Sequence, residues 1–307
     1  MRLFLFLGSR RGYAVLKKLI ETKAQICGIL CLVEDPHEEQ FHPKVTRIAQ
    51  ESAIPIFYST EVKSAEYKTI MQQVQPDIAF AIGWRYLITE EAYRIPSKGT
   101  LILHDSLLPK YRGFAPMNWA IINGENTTGV TLFYIADGVD SGPIVDQAST
   151  HIAINDTAKT VDERLIKLYE DLIIRNLPAL QSGQAKSMPQ DESHASYTCK
   201  RTPEDGEINW RNSALQIHNL VRAQTHPFPG AYTTLRGRKV FIWETELPTI
   251  QEYYVGNIPG RIVKKRSGMI EILTGQGVLL VKRLQYAGEE EQDATHVAIS
   301  VKDTFGR

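Results

Sequence analysis

Along the first 200 residues, short apolar runs alternate with amphipathic segments, which predicts strands separated by helices. Arg2–Leu7, Ala24–Val33, Pro55–Tyr58 and Asp77–Gly83 read as strands, with helices over Tyr13–Thr22, Val45–Ser52, Ser64–Val74 and Glu90–Arg94. A run such as DIAFAIG is apolar at nearly every position, the pattern of a strand covered on both faces. The expected fold is therefore α/β, a Rossmann-like, doubly wound, mostly parallel sheet. The apolar stretch Leu101–Leu103 delivers His104 at its carboxyl end, followed by a helix over Ala115–Asn123 and strands over Gly129–Ile135 and Ala148–Ile154. Val161, Leu165, Leu168, Leu172 and Leu180 then fall at helical spacing within Thr160–Gln181, which Gly183 ends.

The pattern changes near residue 200. Polar Gln190–Lys200 reads as a linker finishing in a short strand, Ser196–Cys199. A helix over Ser213–Ala223 precedes five alternating segments: Ala231–Leu235, Lys239–Glu246, Gly260–Lys265, Met269–Thr274 and Gly277–Gln285. Arg236-Gly237 and Ser267-Gly268 read as hairpin turns. Two domains are expected, residues 1–200 and a small OB-like β-barrel over 201–307.

Composition narrows the function classes. With 43% hydrophobic and 23% charged residues the chain is of ordinary globular type. Lys+Arg and Asp+Glu are both 35, a balance that disfavours a nucleic-acid partner. No run approaches a membrane span, the start reads as a strand, and the three cysteines suit reduced thiols, so a cytoplasmic protein is expected. The acidic loop EDPHEEQFH (34–42) reads as solvated rather than metal-binding, and no metal is expected.

Open α/β sheets take ligands outside the carboxyl ends of their strands. The loop HDSLLPKYRG (104–113), stiffened by Pro109 and released at Gly113, lies there, as does the tight acidic loop DGVDSG (137–142). His104 and Asp140 are expected to meet as an acid–base unit. Gly8-Ser-Arg-Arg-Gly12 reads as a turn into the first helix, without the GxGxxG spacing of a dinucleotide site.

His104, Ser106-Leu-Leu-Pro109 and Asp140, 36 residues after the histidine, together resemble the signature of the folate-dependent formyltransferase family. The C-terminal segments PEDGEINW and NLVRAQTHPFPGAYT are similar to its sugar-modifying members, so the resemblance covers nearly the whole chain. It implies N10-formyltetrahydrofolate as formyl donor. Trp84, Arg85, Tyr86, Leu87, Ile88, Leu103, Ile135, Ala136, Asp137, Gly138 and Val139 would line its pocket. Ser9, Arg10, Ser106, Arg112, Gly113 and Asn118 would border the acceptor. The sequence departs from the family at Ile102, where the signature has an asparagine that donates to the formyl oxygen, and at Phe114, where many relatives have arginine. Isoleucine has no side-chain donor.

Formyl transfer to the amine of a nucleotide-linked amino sugar is thus the expected activity. Methionyl-tRNA formylation is the second reading, and a folate or nucleotide-sugar binder impaired at Ile102 the third. The exposed face of the C-terminal barrel is a candidate homodimer surface.

Overall fold

Leu3–Leu7 is a run of five apolar residues, and all five are buried as β1. The computed structural model describes every residue except His37, Val62, Gln251, Ser267, Ala298 and Ile299. One histidine of the acidic loop and the first residue of the Ser267-Gly268 turn thus lie outside the described residues. After β1 come α1 (Ser9–Glu21), β2 (Ile26–Cys31), α2 (His42–Glu51), β3 (Ile56–Tyr58), α3 (Tyr67–Val74), β4 (Ile78–Ile82), α4 (Glu90–Tyr93) and β5 (Thr100–His104). The chain continues through β6 (Arg112–Gly113), α5 (Pro116–Ile122), β7 (Thr127–Tyr134), β8 (Ile144–His151), α6 (Ala158–Ser182) and β9 (Tyr197–Thr198).

Seven of these strands form one sheet in the order β3-β2-β1-β4-β5-β7-β8. β1 pairs in parallel with β2 and β4, β2 with β3 and β4 with β5, whereas β7 runs antiparallel to β5. The winding reverses between β1 and β4, the point at which such sheets open a crevice. There the strand ends approach so closely that only glycines fit. A Cβ on Gly8 would lie 2.3 Å from the Gly83 carbonyl oxygen, and one on Gly83 2.4 Å from that of Gly8.

Two expectations change. Gly8–Gly12 is not a free turn: α1 starts at Ser9, and the Gly12 N–H already bonds the Gly8 carbonyl at 3.1 Å. Arg10 and Arg11, good helix formers, extend the first turn back to the strand. The acidic loop is not wholly solvated either. Glu34 is buried, and its carboxylate accepts from the His42 N–H at 3.1 Å and the His42 ring at 2.9 Å, at the start of α2.

The chain divides into two compact units, 1–116 with 128–150 and 163–198, and 117–127 with 151–162 and 199–307. The second holds α7 (Ala214–Gln224) and the strands β10 (Ala231–Leu235), β11 (Arg238–Glu246), β12 (Ile262–Arg266), β13 (Met269–Leu273), β14 (Val278–Tyr286) and β15 (Gln292–Asp293). These strands pair antiparallel in the order β10-β11-β14-β13-β12, with β15 on β14. Ile217 and Val221 of α7 pack on Val240, Ile242, Ile270, Ile272 and Leu279 of the sheet. Ser213 caps α7 in a capping box with Gln216. Arg236 and Gly237 both take positive φ, 52° and 72°, the conformation of a two-residue hairpin matched to strand twist. Among the described residues no helix is long and apolar enough to cross a membrane.

Candidate active site at the carboxyl rim of the first sheet

Register sets one face of the sheet. Phe6 pairs with Ala81, Ala81 with Ile102, and Ile102 with Phe133, so this row is wholly apolar. His104 follows Ile102 by two residues and shares its face. Its ring meets Phe133 edge-on, with centroids 6.5 Å apart, and its side chain is 9% exposed. The Tyr111 carbonyl, 2.8 Å from Nε2, can only accept, so Nε2 carries a proton. Nδ1 therefore faces the second group, Asp140 Oδ2, at 3.6 Å. A proton taken up at Nδ1 makes an ion pair with this carboxylate.

Asp140 is held from several sides. Its Oδ2 accepts from the Gly113 N–H at 2.7 Å. Its own backbone is left-handed, φ 47°, and the same strained region holds Tyr111 (φ 60°) and Ala115 (φ 49°). Gly142 fits only because it lacks a side chain, since a Cβ there would lie 1.7 Å from the Tyr134 carbonyl oxygen. Gln190 closes the loop from outside: its Nε2 donates to the carbonyls of Asp140 and Gly142, each at 2.7 Å.

The loop after β4 gives a different surface. Trp84 packs against Phe6, Tyr67 and Tyr86 at centroid distances of 5.5, 6.0 and 5.7 Å. Its indole N–H is buried with no protein partner, as is the Ser9 hydroxyl. Tyr86 and Leu87 are exposed, 47% and 78%, while Ile88 is core. Arg85 forks onto Glu38 at 2.9 and 2.8 Å. Across the sheet, Ile135 packs against the same core as Trp84 and Ile102, and Tyr93 donates to Asp137 at 2.5 Å. Ala136 is half-buried, and Gly138 and Val139 are exposed. Leu103 is buried, and its carbonyl accepts from Tyr169 at 3.1 Å.

Several expected acceptor contacts are engaged elsewhere. Arg112 is fully buried, 0% exposed. Its guanidinium bonds Gln190 Oε1 at 3.1 and 2.8 Å, Glu192 at 2.8 and 2.7 Å, and the Tyr197 hydroxyl at 3.0 Å. It is therefore a structural cation rather than one open to a phosphate. The Asn118 amide donates to the Ala223 carbonyl at 2.8 Å, and the Ser106 hydroxyl turns onto the Lys110 carbonyl at 2.7 Å. Gly113 acts through its backbone, on Asp140. Of this group, Ser9 keeps an unpartnered hydroxyl and Arg10 an exposed side chain. Asp105, next to His104, pairs with Arg11 at 2.9 Å and accepts from Tyr169, which fixes the end of β5. Among the described residues no cluster of three His, Cys, Asp or Glu side chains is placed to hold a metal.

An open α/β sheet that gathers a histidine and a carboxylate at its carboxyl rim is of the class that handles a small ligand and a proton together. Within that class the chain belongs to the formyl transferase family. The formyl transferase model matches residues 14–177, and the model of the formyl transferase C-terminal domain matches 200–301. Among solved structures, the chain is similar to an N-formyltransferase from Helicobacter canadensis, in complex with folinic acid and dTDP-3-aminofucose. That pair is 19% identical, with 91% of this chain and 98% of that one covered, at a TM-score of 0.69. HypX from Aquifex aeolicus, in complex with tetrahydrofolic acid, is 17% identical over 98% of this chain, TM-score 0.66. The alignment takes in 47% of HypX, so the chain spans about half the length of that protein. A methionyl-tRNA formyltransferase from Clostridium thermocellum is 16% identical, covering 80% and 93%, TM-score 0.57. At these identities the likeness is one of fold.

Proposed function

We propose that the protein transfers the formyl group of N10-formyltetrahydrofolate to the amine of a nucleotide-linked amino sugar, with the chemistry carried by residues 1–200. The observation that carries the reading is the His104–Asp140 pair beside an apolar row of the sheet. The acceptor nitrogen attacks the formyl carbon, its surplus proton moves to His104 Nδ1, and the C–N bond to the folate breaks. The leaving nitrogen then takes a proton, giving tetrahydrofolate and a formamide. Asp140 holds the charge of the imidazolium while the proton rests there.

The residues after β4 fit a folate donor. A buried indole N–H with no protein partner costs about 1–3 kcal/mol unless something accepts from it. A polar edge of a flat heterocycle is able to do so while Tyr86 and Leu87 cover its face. The bound folinic acid and amino-sugar nucleotide of the Helicobacter canadensis protein support this choice of donor and acceptor. The balanced charge of the chain weighs against a tRNA acceptor.

Ile102 leaves its strand position without a donor for the developing oxyanion, a role worth on the order of 10²–10³ in turnover where one donor is removed. The test is formyl transfer from N10-formyltetrahydrofolate to a panel of nucleotide-linked amino sugars, for the natural protein and for Ile102→Asn. Expected is one formamide per folate consumed; a gain of less than about tenfold from the asparagine would mean that another donor serves the oxygen. Absence of formamide with every amino sugar, in both proteins, overturns the reading.

A further inference from the structure

We infer that Gln190 is a positioning residue for Asp140, with Arg112 setting the direction of its amide. The inference rests on the reading of His104 and Asp140 as the acid–base pair.

The amide is oriented without ambiguity. Gln190 Oε1 accepts from Arg112 Nε at 3.1 Å and Nη2 at 2.8 Å, and a guanidinium only donates. Nε2 must then face the other way, where the carbonyls of Asp140 and Gly142 each lie 2.7 Å from it. The loop between those carbonyls carries the Asp140 side chain, which bonds the Gly113 N–H and faces His104 Nδ1. Gly113 follows Arg112 directly, so one buried cation fixes the carboxylate along two routes: through Gln190 to its backbone, and through the chain to the N–H that its Oδ2 accepts.

Asp140 sits in the left-handed region, which an aspartate tolerates better than most residues, so the brace serves to fix where its carboxylate lies. Arg112 is itself over-determined. Besides Gln190 it bonds Glu192 and Tyr197, and its carbonyl accepts from the Thr198 hydroxyl at 2.9 Å. β6 and β9, two residues each, pair in parallel at this point and give the cation its rigid seat.

Gln190→Glu tests the inference with an isosteric side chain. It keeps an acceptor for Arg112 but has no N–H for the two carbonyls. Gln190→Met removes both functions, and both variants are followed by thermal melting. We expect each to lower kcat by about 10²-fold, the cost of a displacement near 1 Å in a reacting geometry. The KM for the folate donor should stay within about twofold, since Gln190 makes no contact with the loop after β4 that we assign to it. In an Asp140→Asn background the glutamate should add little. A second readout needs no turnover: the imidazole ¹⁵N shifts of His104 at fixed pH, identified by their loss in His104→Asn, should move towards those of Asp140→Asn.

Unchanged kcat and unchanged His104 shifts in both variants, with only a lower melting temperature, would make Gln190 a structural residue and overturn the inference. If the natural protein formylates no amine, the reading of function fails separately. The imidazole shifts then decide the positioning alone.

Discussion

β1 and β4 of the first sheet are buried along their full length, whereas β10 of the second alternates buried and half-buried positions. The difference follows from how each sheet is covered. A parallel sheet wound on both faces has no free face, so polar groups appear where strands end. In an antiparallel sheet with one helix on its core side, every second residue is available to solvent. Backbone with positive φ occurs in both units. Ser9 follows β1, Tyr111 and Ala115 flank β6, and Asp140 lies in the loop between β7 and β8, all with positive φ. In the described residues of the second sheet the non-glycine with positive φ is Arg236, in a hairpin turn that needs it. Lys23, Ala53 and Gln75, just after α1, α2 and α3, also take positive φ, so in the first unit such backbone is not confined to the candidate site.

The largest expected effect comes from breaking the rim while sparing the sheet. His104→Asn should lower kcat/KM for formyl transfer by about 10²–10⁴-fold, the usual worth of a positioned proton acceptor. A modest fall in melting temperature should accompany it, because the buried ring gives up its bond to the Tyr111 carbonyl. Retention of activity within about tenfold would sink His104 as the acid–base group. The converse variant is Ile242→Ala in β11, where the side chain is fully buried against α7. It should cost about 2–5 kcal/mol of stability, read from denaturant melting of the intact protein. A cost below about 1 kcal/mol would mean that the second sheet is not built around this face.

These contrasts explain what the sequence disclosed. β1 and β4 were legible because five consecutive apolar residues leave few alternatives, and the C-terminal strands because their alternation is punctuated by glycine. The meeting of His104 and Asp140 was legible because the first ends a recognisable strand and the second sits in a short glycine-flanked acidic loop, DGVDSG. Arg112 was misjudged as a substrate contact because nothing local shows that it is buried. Its partners Gln190, Glu192 and Tyr197 stand 78 to 85 residues away, within a polar segment that reads as linker. The Tyr111 carbonyl and the Gly113 N–H were beyond reach for another reason: backbone groups carry no residue-type signal. The one available hint for Gln190 was an amide in a stretch that returns to a short strand.

Trp84→Phe sharpens the comparison at the rim with a smaller effect. Removing the indole N–H relieves a buried donor without a partner, while the smaller ring gives up packing on Phe6 and Tyr67. The two stability terms oppose, so the melting temperature should barely move. Loss of one hydrogen bond to a ligand is worth about 0.5–1.5 kcal/mol, so the KM of the folate donor should rise by up to about tenfold. An unchanged KM would show that this N–H faces no part of the donor.

The smallest effect is expected on β8, an outermost strand of the first sheet, none of whose eight residues is buried. Asp146 on β8 meets Arg175 at 2.7 and 2.9 Å and Asn176 at 2.6 Å. Burial works against its carboxylate, but Arg175, Asn176 and the Gln147 N–H outweigh it and hold the group below the usual aspartate range. A depressed folded value stabilises the protein above the unfolded value of about 3.9 and ceases to do so as the pH falls through the folded one. Asp146→Asn should therefore cost less than about 1 kcal/mol at pH 7, since the arginine is half exposed and solvent screens the pair. The difference from the natural protein should shrink as melts are repeated below about pH 4. A cost that stayed constant over that range would assign the loss to the geometry of the asparagine, not to the charge.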